Sequence, residues 1–337
     1  MTSLDVPGQV AADNRPAEYR PDEYGAARVD LGVNAVRRTR QFARVRDVVG
    51  AYVGLTKPRI IELLLVTTVP AMFLAAGGVP PLKIVITTMI GGCLAAASAN
   101  AVNCVLDRDI DERMRRTRRR PLPRHAVGPL GATVFGMILG IAATLWLGYF
   151  VNWLSAALAL GANAFYIVVY TVWLKRRTPQ NIVWGGIAGC FPPLIGWTAV
   201  TGSLALAPFM MFLIVFFWTP PHTWALAMRY REDYAAANVP MLPVVRSAPV
   251  VARRIMAYAV VTVLTSLLLW PVAPTGWFYP AAAVILGVAL LWQSAQLLAR
   301  AQRGLRDAAL RPMRLFHWTN SYLALLFVAA AVDTLLR

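Results

Sequence analysis

Nine apolar stretches of about 20 residues run through the chain, at 60–79, 84–104, 129–149, 153–173, 182–202, 206–228, 255–273, 277–298 and 315–336, separated by short polar segments. A helix of that length spans the ~30 Å hydrocarbon layer of a bilayer. The stretches are continuous and lack the two-residue alternation of a membrane barrel, so the pattern predicts an all-α polytopic membrane protein with nine transmembrane helices. Residues 1–47 are polar, mixed in charge and contain proline, which predicts a disordered extension ahead of a membrane domain at 48–337. The acids Asp5, Asp13, Glu18, Asp22, Glu23 and Asp30 argue against a mitochondrial transit peptide, and no short apolar run suggests a signal peptide. A bacterial plasma membrane is the expected location.

Composition agrees with this pattern: 58 % of residues are hydrophobic and 15 % charged, against roughly a quarter charged in soluble domains. The net charge of +17 is informative in its placement. Of 33 Lys and Arg residues, 31 fall in 1–59, 106–126, 174–180, 229–254 and 299–314, which are alternate connections of a nine-span chain beginning with the N-terminus. The positive-inside rule then predicts a cytoplasmic N-terminus and an extracytoplasmic C-terminus. Because orientation accounts for the positive charge and no zinc-finger or RNA-binding motif accompanies it, no nucleic-acid partner is expected. The basic stretch 36–46 is suited to resting on anionic headgroups.

The candidate chemistry begins where the second span ends. Asn103, Asp107 and Asp111 are spaced i, i+4, i+8, so a helix continuing through them carries three oxygen-bearing side chains on nearly one face, with neighbours ~6 Å apart. Such a row suits Mg²⁺, which is commonly held by a few carboxylates plus substrate phosphate oxygens. Asp109 points about 200° away and is expected to pair with Arg113. Arg116 and Arg120, in the dense basic stretch that follows, suit bidentate binding of phosphate oxygens. Lys57 and Arg59 beside the first span, and Lys175 and Arg176 after the fourth, are either further phosphate contacts or snorkelling anchors.

A second constellation runs from Thr219 through Tyr234. The pair Pro220-Pro221 is expected to break the helix, with His222 and Asp233 lining the same cavity as the row. Asp233 either completes a second metal-binding position or pairs with Arg229. Gly185, Gly186 and Gly189, followed by Pro192-Pro193, read as close packing plus a kink. Cys93, Cys104 and Cys190 show no metal-ligand spacing and read as small buried residues.

These residues resemble the UbiA superfamily of intramembrane prenyltransferases and, within it, the heme O synthases (protoheme IX farnesyltransferases). The likeness rests on Thr56 through Ile60; Asn103 through Asp111 with Met114, Arg116, Thr117, Arg120 and Pro121; Asn163, Tyr166 and Tyr170; Lys175-Arg176 with Thr178 and Asn181; Gly185-Gly186 through Trp197; Pro221-His222 through Tyr234 with Asn238, Pro240, Leu242 and Pro243; and Leu315-Phe316 with Tyr322 and Phe327. The Asn-x3-Asp-x3-Asp row is common to the superfamily. The Pro-His segment, with His222 near where a fuller second aspartate motif begins and Asp233 retained, looks like the heme-specific branch.

The resemblance implies a nine-helix prenyltransferase bundle with a central cavity open toward the cytoplasmic side. It implies Mg²⁺-dependent transfer of farnesyl from farnesyl diphosphate to the 2-vinyl group of heme b. Asn103, Asp107, Asp111 and Asp233 would serve as metal ligands and Lys57, Arg59, Arg116, Arg120 and Lys175 as diphosphate contacts. His222 would be an iron ligand, an orienting donor or a base for a quenching water. The partners implied are the lipid bilayer and a terminal-oxidase or heme A synthase assembly partner. The alternatives are a UbiA-type transferase acting on an aromatic quinone precursor, and an ion-coupled transporter using the same acids.

Overall fold

The structure is a computed structural model that describes residues 46–336, with the side chains of 59–65 outside the description. The chain divides after Asp47, and the fold below is that of the second unit, Val48–Arg337. Of the extension predicted over 1–47, residues 1–45 lie outside the described residues.

Every described element is helical. A lead-in helix α1 (48–56) is followed by α2 (Pro58–Ala76), α3 (Leu82–Leu106), the short α4 (Arg108–Arg113), α5 (Pro129–Phe150), α6 (Trp153–Leu174), α7 (Asn181–Thr201) and α8 (Leu206–Arg229). Two short turns, α9 (Arg231–Ala236) and α10 (Leu242–Val245), lead to α11 (Ala248–Val272), α12 (Phe278–Gln302), α13 (Asp307–Leu310) and α14 (Pro312–Leu335). Among the described residues, eight helices are long and apolar enough to cross a membrane. These are α3, α5, α6, α7, α8, α11, α12 and the stretch Asp307–Leu335. The first predicted span falls on α2, which supplies the shorter apolar helix Val66–Ala76.

The observed ends follow the predicted spans closely except at α11, which begins at Ala248 rather than at 255. Pro249 fits the first helical turn, where its missing N–H costs nothing, so the helix starts before the apolar run and carries Arg253 and Arg254. A second departure concerns Pro220 and Pro221, which lie inside an unbroken α8. They remove two backbone donors, freeing the carbonyls one turn back, yet α8 packs along α11, α14 and α7 and remains helical through the pair.

Close approach between backbones depends on small residues, as in other lipid-embedded bundles. A Cβ on Gly196 of α7 would stand 2.4 Å from the Thr68 carbonyl oxygen of α2, and one on Gly136 of α5 would stand 2.8 Å from Val102 of α3. Gly185 and Gly186 likewise sit against Tyr170 and Thr219, and the expected kink before Pro192 is a 3₁₀ stretch, Gly186–Cys190. Several polar groups inside the bundle pair with one another. The Tyr279 hydroxyl donates to the Ser266 carbonyl at 2.7 Å, and the Ser266 and Tyr322 hydroxyls meet at 2.8 Å. Cys104 and Cys190 are buried and Cys93 is half-buried.

Near the end of α14 the buried Asp333 carboxylate accepts the backbone N–H groups of Gly276 and, at 3.0 Å, Tyr279. These donors lie at the start of α12, where backbone N–H groups have no partner within the helix. We expect Asp333→Ala to lower stability by roughly 1–2 kcal/mol and Asp333→Asn, which keeps an acceptor oxygen, to cost less. Thermal unfolding in detergent reads this difference, with the Michaelis constants of both variants unchanged.

Candidate functional site

The oxygen row forms at a pause in the helix. α3 ends at Leu106, Asp107 caps it with φ −97° and ψ 7°, and α4 resumes at Arg108, so the helix expected to run unbroken through the row does not. The hydrogen-bond ladder nevertheless crosses the pause. The Asp107 N–H donates to the Asn103 carbonyl (2.9 Å) and the Asp111 N–H to the Asp107 carbonyl (2.8 Å). The side chains of Asn103, Asp107 and Asp111 stay buried together, with residue exposures of 3 %, 1 % and 2 %, which excludes a solvated helix end.

Each member of the row meets a cation. Lys57 Nζ donates to Asn103 Oδ1 at 2.7 Å, Lys175 Nζ donates to Asp107 Oδ2, and Arg120 reaches both Asp111 oxygens at 2.8 Å. Asn103 Nδ2 ties the row together by donating to Asp107 Oδ2 (2.7 Å) and Thr171 Oγ1 (3.1 Å). Lys57 occupies the left-handed region (φ 51°, ψ 61°), an unusual conformation for a residue with a side chain, at the turn into α2. Burial pushes its ammonium down to about 8. Arg59 belongs to the same turn of α2, but its side chain is outside the described set.

Lys175 and Thr171 reach the row from an unusual element. The second half of α6, Phe165–Leu174, is a π-helix, whose i to i−5 backbone bonding is seen where the Lys175 N–H donates to the Tyr170 carbonyl at 2.9 Å; the Thr171 hydroxyl also donates to the Tyr166 carbonyl, at 2.8 Å. Buried Asn181 then donates to the Lys175 carbonyl (3.1 Å). Thr171 and Asn181 are positioning residues that periodicity at 3.6 does not single out.

Asp109 points away from the row as expected, but its partner is Arg176, not Arg113. The two form a forked pair at 2.7 Å on both oxygens, and the same guanidinium donates to the Leu106 carbonyl at 2.9 Å. The fork holds the Asp109 carboxyl below the usual carboxylate range. Arg176 therefore braces the pause in the helix from its outer side. In sequence, i+4 spacing favoured Arg113, while the actual partner is 67 residues away.

Asp233 belongs to a second group on the basic stretch. It accepts the Arg116 backbone N–H at 3.2 Å and stands 3.9 Å from Arg115 Nε, while Arg229 lies 5.9 Å from the Tyr230 ring centroid and makes no ion pair with it. The Arg116 guanidinium lies 5.2 Å from the same ring and at 3.5 Å from the Tyr234 hydroxyl. His222 forms a third group, half-buried between Trp218 (4.3 Å between centroids) and Phe316 (4.5 Å), with Nδ1 2.9 Å from Thr319 Oγ1.

An apolar cavity of about 190 Å³ lies beside the row, lined by small residues of α3, α6 and α7 and by Met89, Asn100, Asn163, Tyr166 and Phe191. Asn100 is one turn from Asn103 on α3. The residues lining this cavity include neither His222 and Asp233 nor the row itself, Asn103, Asp107 and Asp111.

The donor set suits a hard cation. Asp107 Oδ1 is buried without a hydrogen-bond partner, next to an amide and a second carboxylate that also offer oxygen. Among the described residues no three acidic, His or Cys side chains converge to hold a metal by themselves. The residues thus fit Mg²⁺ completed by oxygens of a phosphate ligand, and not a cage made by protein alone.

Residues 64–320 match the UbiA prenyltransferase family. A Cutibacterium acnes protein named protoheme IX farnesyltransferase is 63 % identical over 322 residues, covering 96 % of this chain and 94 % of the relative. Relatives of the same name from a Nocardioides species and Streptomyces coelicolor are 62 % and 57 % identical, covering 87 % and 86 % of this chain and 94 % and 92 % of their own. Among solved structures, one concerning digeranylgeranylglyceryl phosphate synthase superposes with a TM-score of 0.70 at 16 % identity, over 86 % of this chain and 99 % of that one. A UbiA homolog from Archaeoglobus fulgidus bound to GPP and Mg²⁺ superposes at 0.60 with 15 % identity, over 85 % and 100 %. At these identities the superpositions speak for the fold.

Proposed function

The chain belongs to the UbiA prenyltransferase family, and on that premise we propose that it is a heme O synthase, transferring farnesyl from farnesyl diphosphate to the 2-vinyl group of heme b. The observation that carries the choice of acceptor is the near full-length identity to relatives named protoheme IX farnesyltransferase. The buried oxygen row with its three cations supports the diphosphate end of the reaction.

Asn103, Asp107 and Asp111 would hold Mg²⁺, with Asp233, on α9 and bonded to the basic stretch at Arg116, completing a further metal-binding position. The bound cation offsets the diphosphate charge and eases its departure. Lys57, Arg59, Lys175, Arg116 and Arg120 supply further positive charge where the leaving group develops its own. The cavity beside Asn100 is apolar and takes the isoprenoid tail, placing its first carbon at the row. As the allylic C–O bond breaks, the vinyl carbon of heme attacks the carbon released, and water adds to the cation left on the other vinyl carbon with loss of a proton. Enclosure within the bundle delays capture of the allylic cation by bulk water.

The same reading gives a multi-pass protein of a bacterial plasma membrane with the row at the cytoplasmic face, since the basic residues cluster in the connections on that side. A terminal-oxidase or heme A synthase assembly partner would take the product.

Pyrophosphate release tests this directly. With farnesyl diphosphate and Mg²⁺, release is expected to depend on added heme b and not on 4-hydroxybenzoate. Release driven by the benzoate alone would assign the acceptor to a quinone precursor, and no release with either would point to ion-coupled transport.

A further inference from the structure

The hydrogen bonds around Thr319 define which nitrogen of His222 is bare. Thr319 is fully buried on α14, and its Oγ1 lies 2.7 Å from the Phe316 carbonyl oxygen and 2.9 Å from His222 Nδ1. Two oxygens at 2.7 Å repel unless a hydrogen lies between them, and the only hydrogen there is the Thr319 hydroxyl's. The hydroxyl therefore donates to the carbonyl, and its lone pair accepts from His222 Nδ1–H. A neutral imidazole with its proton on Nδ1 has an unprotonated Nε2.

Nothing among the described residues hydrogen-bonds Nε2, and it is absent from the atoms sealed off without a partner. The ring cannot swing to find one. Trp218 and Phe316 stack on its two faces at interplanar angles of 17° and 27°, and the Trp218 indole N–H is itself pinned to the Thr319 carbonyl at 2.8 Å. Only the Nε2 edge remains presented. His222 sits seven residues before Arg229, the last residue of α8, about 10 Å along the axis at 1.5 Å per residue.

We propose that His222 Nε2 is the axial ligand to the iron of the substrate heme, and that Thr319, Trp218 and Phe316 are positioning residues that fix its tautomer and aim. Metal-ligating histidines characteristically donate their other ring N–H to a fixed acceptor, which orients the ring and raises its basicity. Here that acceptor is a hydroxyl relayed to a backbone carbonyl. The assignment rests on heme b as the acceptor. It separates His222 from the row: the row holds the donor's charge, and His222 holds the acceptor's iron.

The test uses full-length protein in lipid nanodiscs loaded with ferrous heme b, without prenyl diphosphate, and reads the iron–imidazole stretch by resonance Raman. Wild type is expected to show the stretch and His222→Ala to lose it, with added imidazole restoring it. His317→Ala, altering an exposed neighbour, is expected to keep it. Thr319→Val is expected to shift the stretch and weaken heme affinity about 10-fold, whereas Thr319→Ser, which keeps the hydroxyl, preserves both. A merely structural Thr319 would leave the frequency unmoved. A stretch that persists in His222→Ala, or is absent in wild type that converts heme b, overturns the assignment. Lost turnover with an unchanged stretch in His222→Ala would instead give Nε2 to proton abstraction. Wild type that prenylates a benzoate and leaves heme untouched fails the acceptor reading, a result distinct from the others.

Discussion

Asp107→Asn is expected to lower farnesyl transfer by roughly 100- to 1,000-fold, the range seen when one preorganised electrostatic contact to a developing charge is lost. The substitution is isosteric, so the fold is kept while the charge is removed. Asp107 is the most enclosed member of the row at 1 % exposure, bonded to Lys175 and Asn103 through Oδ2 and bare at Oδ1. An amide there faces the Lys175 ammonium with a weaker acceptor and offers a cation at most a neutral oxygen. Because the ligand itself is changed, excess Mg²⁺ is not expected to restore the rate. Asp109→Asn, two residues on, is the control: its carboxylate engages Arg176 outside the row, and the rate should stay within a few-fold of wild type. Initial rates over a Mg²⁺ titration of both variants measure this, and equal rates in the two would remove the row from the chemistry.

Arg120→Ala should act on stability as well as on rate. Its guanidinium bonds both oxygens of the Asp111 carboxylate, whose side chain is only 3 % exposed. Removing one partner of a buried pair leaves an uncompensated charge and typically costs about 3–5 kcal/mol. The variant is therefore expected to melt well below wild type in the absence of ligand. Mg²⁺ with a non-hydrolysable farnesyl diphosphate analogue should raise its melting temperature by more than it raises that of wild type, because the cation then takes over the task of neutralising Asp111. Thermal melts with and without the pair of ligands read the difference. A ligand-induced rise no larger than in wild type would mean that Asp111 is not at the diphosphate site.

The hydrophobic pattern made most of the spans legible, because a bilayer sets both the length and the apolarity of what crosses it. The row was legible for a related reason. Acids at the end of a span are costly to bury, and their i, i+4, i+8 spacing survives the pause at Asp107 because the backbone bonds carry across it. What stayed hidden depends on contacts distant in sequence. Asp109 has a nearby cation at the favoured helical spacing, and only the packing of α6 against α3 brings Arg176 to it. The π-helix at Phe165–Leu174 has no signature in apolar periodicity, yet it contributes Lys175 and Thr171 to the row. Pro220-Pro221 reads as a helix break under rules drawn from exposed helices, and the bundle around α8 overrides that reading. Thr319 sits in an apolar span with nothing to mark it, although it fixes His222.

The central claim is that the row activates a prenyl diphosphate for attack by heme. Mass spectrometry of the heme recovered from full-length protein in lipid, incubated with heme b, farnesyl diphosphate and Mg²⁺ alongside 4-hydroxybenzoate, tests it most directly. Heme carrying one farnesyl group and one hydroxyl across the former vinyl double bond, formed only with Mg²⁺ and not by Asp107→Asn, is the predicted result. Unmodified heme together with a prenylated benzoate would contradict it.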